Sequence, residues 1–587
     1  MMIKKGKGLL VILLINTCFL FSCGEKTDSV SDFLSSSVSS FSDEDPDYYL
    51  PAYEKADRSS SYIGDDNYRD YYHIFVPSFA DSDGDGIGDL QGIIDKMDYL
   101  RDKSSAHKKG SLGINGILLS PIMRGYSYHK YDTIDYKAVD SSFGTLDTFS
   151  GLINEAHARG IKVILDIALN HASDCSKYFA DAAYEIKSVT EDDYDPTTGL
   201  LNKSFIEGHP AVDHFRFIKD GNRFTDYSNR LYSLYRGWDY EGFASSMPDW
   251  NLDNKEVRDF QKDVLKFWLD KGADGFRLDA ISSYYGEVNT SISRNTEYIN
   301  YLNDYVKSVD SGAYIIAEGP WSRPGCLTYM KNTGINSFFD FYNSILDIDK
   351  RYINRIKYRS LDEDTVENYL MSEGYESKAN PDHIDAYFNS NHDTGRVTNQ
   401  FVTAEGYDYQ GLKFQIGMQN LYKGNYFLYY GDEIGLMGTK QGVDDLPCRA
   451  PFTWSDSYTT KELEPGLSIS HSQLFDDFNT QLNSSLSLFN FERRLMKIKE
   501  YNPEISRGDL EIVSRSAEGI LVGKKTYNGS TKYLIINYSP KTITADLTTL
   551  GLSADRDIVN CIATNDEYAS RSDLNLILPS LTITILK

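Results

Sequence analysis

Residues 275–280 read Gly275-Phe276-Arg277-Leu278-Asp279-Ala280, a short apolar run that ends in a carboxylate. In a strand successive side chains point to opposite faces, so Arg277 and Asp279 share one face while Phe276 and Leu278 share the other. Three further runs end in polar clusters. They are Asp166-Ile167-Ala168-Leu169-Asn170-His171, Ile315-Ile316-Ala317-Glu318-Gly319 and Phe388-Asn389-Ser390-Asn391-His392-Asp393. Outward from these clusters, strand candidates fall at 72–79, 115–120, 162–168, 275–278, 313–317, 337–341, 386–389 and 426–430. Helical patterns separate them, as at 89–102, 145–159, 255–271 and 412–423. Short strands apolar on both faces, alternating with amphipathic helices, predict an α/β fold built on a (β/α)8 TIM barrel. Active sites of such barrels lie at the C-terminal ends of the strands, where all four polar clusters fall.

At 587 residues the chain is too long for one ordinary domain. The barrel is expected over 66–170 and 251–505, with a small inserted domain at 171–250 after the third strand. Past 506 the pattern changes to β runs, predicting a C-terminal all-β sandwich domain over 506–587. Residues 1–22 read as a signal peptide, with Lys4, Lys5 and Lys7 ahead of an apolar core too short to span a bilayer. The core ends at Leu20-Phe21-Ser22-Cys23, which resembles the lipobox of bacterial lipoproteins, and so implies lipidation of Cys23. Residues 23–65, rich in Ser and Asp, then form a flexible tether, and the protein is expected to be an extracytoplasmic, membrane-anchored lipoprotein. A formal net charge of -26 argues against a nucleic-acid partner, because phosphate would be repelled. A neutral polysaccharide meets no such penalty, and the 44 tyrosines suit sugars, although taken alone their number is better read as a tyrosine-rich core. Cys175, Cys326, Cys448 and Cys561 are scattered without metal-ligand spacing, and any pairing among them is open.

A guanidinium beside Asp279 favours the ionised form that a nucleophile needs, while Glu318, closing an apolar strand, is placed for a raised pKa and general-acid work. An ionised Asp, a protonated Glu and nearby histidines make up the chemistry of a retaining glycosidase. In their order along the chain these blocks resemble those of the α-amylase family of glycoside hydrolases. The resemblance extends from about residue 65 to the C-terminus. It implies Asp279 as nucleophile, Glu318 as acid/base and Asp393 as transition-state stabiliser, with His171, Arg277 and His392 around the −1 sugar. Tyr128-His129-Lys130-Tyr131-Asp132 resembles the segment after strand two, implying substrate contacts from Tyr128 and Tyr131. Met247-Pro248-Asp249-Trp250-Asn251 resembles the motif that ends the inserted domain, and Tyr429-Tyr430-Gly431-Asp432-Glu433 the end of strand eight. Asp445 and Arg449 resemble a pair that binds the −2 sugar.

Asp81-Ser82-Asp83-Gly84-Asp85-Gly86-Ile87-Gly88-Asp89 sets hard oxygen donors at alternate positions among glycines, a pattern suited to Ca²⁺. It is also similar to a calcium loop of some family members, implying Asp81, Asp83, Asp85, the Ile87 carbonyl and Asp89 as ligands. Two features depart from the family pattern. Ser282 and Ser283 stand where Lys and His are common, which bears on the leaving-group side, and Tyr426 replaces a common Pro. Ala280 and Thr394-Gly395-Arg396 are more similar to α-1,4-acting members. The expected activity is therefore hydrolysis of α-1,4 bonds in a starch-like α-glucan by a monomer. The alternatives are an exo-acting or α-1,6-acting oligosaccharide glucosidase, a transglycosylase, and a non-catalytic sugar-binding lipoprotein.

Overall fold

The computed structural model describes residues 50, 51, 53 and 66–587, less 105, 220–230, 236–237, 245, 286–288, 321, 345–346, 375–376, 441–444, 462, 464–474 and 517. The expected leader, Cys23 and all but three residues of the tether lie outside the described residues.

Eight strands form the barrel: β1 Asp70–Ile74, β2 Gly116–Leu119, β3 Lys162–Ile167, β4 Gly275–Leu278, β5 Tyr314–Ala317, β6 Ser337–Phe338, β7 Ala386–Phe388 and β8 Asn425–Tyr429. They pair in parallel in the order β6-β5-β4-β3-β2-β1-β8-β7. A parallel bridge from Phe339 to Ala386 joins the two ends. The first strand lies earlier than the sequence predicts. Pro77 has no N–H for a ladder, and Val76–Ser78 turns as a 3-10 helix instead. The sixth is shorter than predicted, because the chain enters a helix at Phe341–Ser344.

Strand alternation divides the core. Tyr71, Leu118, Ile164, Tyr314, Ile316, Phe388 and Phe427 fill the barrel interior, while Tyr72, Ile117, Val163, Phe276, Ile315 and Leu428 pack outward under the helices. Tyr71 stacks on Phe427 with ring centroids 4.6 Å apart, flooring the interior with aromatic surface. Two residues further along the strands come His73, Asp166, Arg277 and Glu318, so the inward face changes from apolar to polar toward the strands' C-terminal ends. Gly275 permits this crowding, since a Cβ there would stand 1.8 Å from the Tyr314 carbonyl oxygen.

Lys255–Asp270 shows how the outer ring is made. Asn254 caps its first turn by accepting from the Glu256 and Val257 N–H groups. Val257, Val264, Leu265 and Trp268 then bury one face. Between β3 and this helix the chain forms the helix Lys177–Glu185 and antiparallel strands Phe217–Lys219, Leu231–Tyr235 and Trp238–Ala244. After the last barrel helix, Leu488–Tyr501, come a five-stranded and a three-stranded antiparallel sheet. The larger sheet shares the barrel's core through Leu534, Ile583 and Ile585. No disulfide links the four described cysteines, of which Cys175 is exposed and the other three are buried in separate elements.

A buried ion pair joins the two bodies, with Lys525 Nζ 2.6 Å from Glu373 Oε2 and 2.8 Å from the Ile505 carbonyl. Removing one partner of such a pair leaves an uncompensated buried charge, a cost of about 3–5 kcal/mol. We expect Glu373→Ala to lower the thermal unfolding midpoint clearly, whereas Glu373→Met with Lys525→Met stays near the parent. Calorimetry of both proteins checks this, and equal loss in both would show that the ion pair is not what matters.

Candidate active site

Asp279 follows β4, Glu318 follows β5 and Asp393 follows β7, and all three line one cavity of about 490 Å³ at the barrel mouth. Tyr128, His129 and Tyr131 line it from beyond β2, and Lys440, Asp445, Leu446 and Arg449 from beyond β8. Phe243, Ala244 and Met247 complete it from the segment inserted after β3. The volume suits a few sugar rings rather than a metal alone.

Arg277 lies below this floor and is fully buried. Its Nη1 donates to Asp279 Oδ1 and, at 2.9 Å, to Asp166 Oδ1, while Nη2 stands 3.3 Å from Glu318 Oε2. One guanidinium therefore serves three carboxyl groups. Burial first, with the neighbouring Asp166 adding to it, raises the Asp279 pKa to about 7 against the pull of Arg277. Burial likewise raises Glu318 to about 7, and Arg277 lowers it less than burial lifts it. Asp166 rises to about 6 for the same first cause. The sequence expectation that Arg277 keeps Asp279 ionised is thus too simple, because the cation is shared and Asp279 is buried. The contacts still differ in kind. Asp279 holds a direct hydrogen bond from the guanidinium, whereas Glu318 accepts the Ala280 N–H at 2.9 Å and stands farther from the charge. A proton shared by the group therefore favours Glu318 over Asp279.

Asp393 is gripped from two sides. Arg449 Nη2 approaches its Oδ1 at 3.0 Å and His392 Nε2 its Oδ2 at 3.2 Å. Arg449 Nε also donates to the His392 carbonyl at 2.9 Å, fixing the loop that carries both residues. The same guanidinium reaches Asp445 at 3.2 Å and donates to the Tyr128 hydroxyl at 2.7 Å. Tyr131 donates to Asp166 at 2.7 Å and sits 2.6 Å from His392 Nε2. Burial first, then Arg449 and Arg277, push the His392 pKa well down, so it works as a neutral ring. Burial lowers His129 to about 4.

Of the predicted contact residues, Tyr128, Tyr131, His392, Asp445 and Arg449 reach the cavity wall. Arg277 and His171 stand behind it. His171 is buried, with no hydrogen-bond partner for its Nε2 among the described residues and its ring stacked on Phe243 at 4.9 Å. His129, Phe243, Met247, Lys440 and Leu446 were not singled out from the sequence. Met247 opens the motif that ends the insertion, whereas Phe243 carries no local signal and reaches the site only through long-range folding.

The acidic loop after β1 brings carboxylate oxygens of Asp81, Asp83 and Asp89 within 4.8 Å of one another. Asp81 accepts from the Gly84 and Gly86 N–H groups, and Asp89 from Ser82 and Gly92. Asp85 turns its carboxylate onto the Ile87 N–H at 2.7 Å, outside that cluster. Its carbonyl accepts from Lys461 at 2.9 Å.

Residues 73–508 match the family described as alpha amylase, catalytic domain. The chain belongs to the α-amylase family. It is 32% identical over 463 residues to Alpha-amylase 3 of Dictyoglomus thermophilum, covering 77% of this chain and 81% of that protein. It is 28% identical to an oligo-1,6-glucosidase of Heyndrickxia coagulans, covering 65% of this chain and 69% of that protein. Among solved structures it is similar to Eubacterium rectale Amy13B, at 34% identity and a TM-score of 0.77, with 91% of this chain and 97% of that chain covered. This α-amylase-family protein is accordingly a glycoside hydrolase, with a (β/α)8 barrel and a C-terminal β-domain.

Proposed function

We propose that the protein cleaves α-1,4-glucosidic bonds of starch-like glucans or malto-oligosaccharides with retention, through a glycosyl-enzyme intermediate. The observation that carries this is the placement of Asp279 and Glu318 on the two terminal nitrogens of a single guanidinium. Carboxyl groups so closely tied suit the ~5–5.5 Å spacing of a retaining pair better than the ~6.5–9.5 Å that leaves room for an inverting water. The likeness to Alpha-amylase 3 and the Ala280 that follows Asp279 support the α-1,4 bond.

In this reading an Asp279 oxygen attacks the anomeric carbon while the Glu318 proton passes to the departing glycosidic oxygen. Glu318, now a carboxylate, takes a proton from water, whose oxygen attacks the same carbon and frees Asp279. Asp393, held by His392 and Arg449, accepts hydrogen bonds from the ring's hydroxyl groups, and Tyr128 and Tyr131 border the ring. Asp445 and Arg449 hold the next sugar. The likeness to oligo-1,6-glucosidases supports a second reading, cleavage of short α-1,6 substrates.

The donor set of Asp81, Asp83 and Asp89 fits Ca²⁺, since hard carboxylate oxygens gathered this closely repel without a cation. In this reading the ion stiffens the loop after β1, and no catalytic step passes through it.

Three measurements test these assignments. Incubated with starch, the enzyme should release mixed malto-oligosaccharides, and Asp279→Asn should lose essentially all activity; glucose release from isomaltose-type substrates alone would transfer the case to the second reading. The pH profile of kcat/KM should be bell-shaped about neutrality. Activity falls on the acid side as Asp279 takes a proton and on the alkaline side as Glu318 loses one. A profile flat through neutral pH contradicts the assignment. Calcium added to chelator-treated protein should raise the unfolding midpoint, by about 2.7 kcal/mol of stabilisation at a hundredfold excess over Kd. Asp81→Asn should abolish that rise, and a chelator without effect removes calcium from the account.

A further inference from the structure

The cavity has two unlike walls. Asp393, Lys440, Asp445 and Arg449 rise from the ends of β7 and β8 and are charged. Phe243, Ala244 and Met247 come from the insertion after β3 and offer no charged or hydrogen-bonding side chain. In the closed ring β3 and β7 stand four places apart, on opposite sides, so a chain lying across the mouth meets one wall at each end.

Phe243 is 48% exposed, an uncommon state for a phenylalanine inside a cleft. One face of its ring lies on His171, with centroids 4.9 Å apart and planes 22° from parallel. His171 cannot yield, since it is fully buried and bridged to Asp249, whose Oδ1 accepts from Asn170 at 2.8 Å. Phe243 also lines the cavity, so its ring offers that space a flat apolar surface backed by a buried side chain. Apolar faces of glucosyl rings stack on such surfaces. The polar wall already supplies the hydrogen-bonding groups for the glycosyl unit being transferred, and Ser282 and Ser283 are short.

We infer that Phe243, backed by His171 and flanked by Met247, is the platform that holds the leaving-group glucosyl unit by stacking, and so sets the preference for substrates extended on that side. This rests on the hydrolase reading of Asp279 and Glu318. Maltotetraose and α-maltotriosyl fluoride test it, because they deliver the same maltotriosyl group but release glucose and fluoride respectively. For Phe243→Ala, kcat/KM for splitting maltotetraose into maltotriose and glucose should fall about 10- to 100-fold, the loss of one stacked ring. The fluoride, which leaves the platform empty, should react within about twofold of the parent rate, and Phe243→Trp should restore the tetrasaccharide reaction. Equal losses on both substrates would place Phe243 against the transferred unit and overturn the inference. Loss on neither would make it only a cover for His171, overturning it equally. A parent enzyme inert toward both substrates strikes the α-1,4 reading itself, a result distinct from either.

Discussion

A buried cation shared among acids governs this barrel. Arg277 sits at the level where the interior changes from aromatic to polar, and it contacts Asp166, Asp279 and Glu318. Desolvating these acids is costly, and the guanidinium recovers part of that cost by direct hydrogen bonds. Lysine cannot substitute in kind, because one ammonium lacks the planar fork that reaches three partners. Burial lifts all three acids against the pull of the guanidinium, which favours a shared proton in the cluster, and the acid farthest from the cation is the one placed to keep it.

The aromatic layer beneath makes this possible. Tyr71, Phe427 and Tyr314 stack across the interior and close it from below, and burial is the first cause of each raised carboxyl of Asp166, Asp279 and Glu318. Above the layer the polar residues hold one another. Arg449 ties Asp393, Asp445, Tyr128 and the His392 carbonyl into one unit, so segments after β2, β7 and β8 are held to one another. Preorganisation of this kind places charge before substrate arrives.

The barrel was legible because its strands are apolar on both faces and end in carboxylates, a pattern local to a few residues. Where the sequence misled, the cause was equally local. Pro77 stopped a ladder that the apolar run 72–79 suggested, and Phe341 began a helix where a strand was expected to continue. Alternation placed Asp279 beside Arg277 correctly, but it carried no information on how many acids the guanidinium would serve. That number depends on β3, β4 and β5 lying side by side. The place of Phe243 and Met247 in the cavity wall was invisible for the same reason, since only the folding of the insertion brings them there. In the acidic loop, spacing could not show that Asp85 closes a turn on Ile87 rather than joining Asp81 and Asp89.

Residue type at a strand end does not by itself mark catalysis, and β8 shows why. Asp432 and Glu433 follow that strand as Glu318 follows β5, and both are buried with raised pKa values, Glu433 to about 7. Yet Asp432 pairs with the buried Arg396 at 2.9 Å, and Glu433 accepts hydrogen bonds from Tyr72 and Tyr99 on the outer side of the barrel. Neither lines the cavity. Arg396, in a block that by resemblance reads as a specificity signal, is thus committed to holding the end of β8. A perturbed carboxyl becomes a reagent only where its oxygens open onto space that a substrate can enter. By that criterion Asp279 and Glu318 separate from Asp432 and Glu433, through geometry that composition alone does not carry.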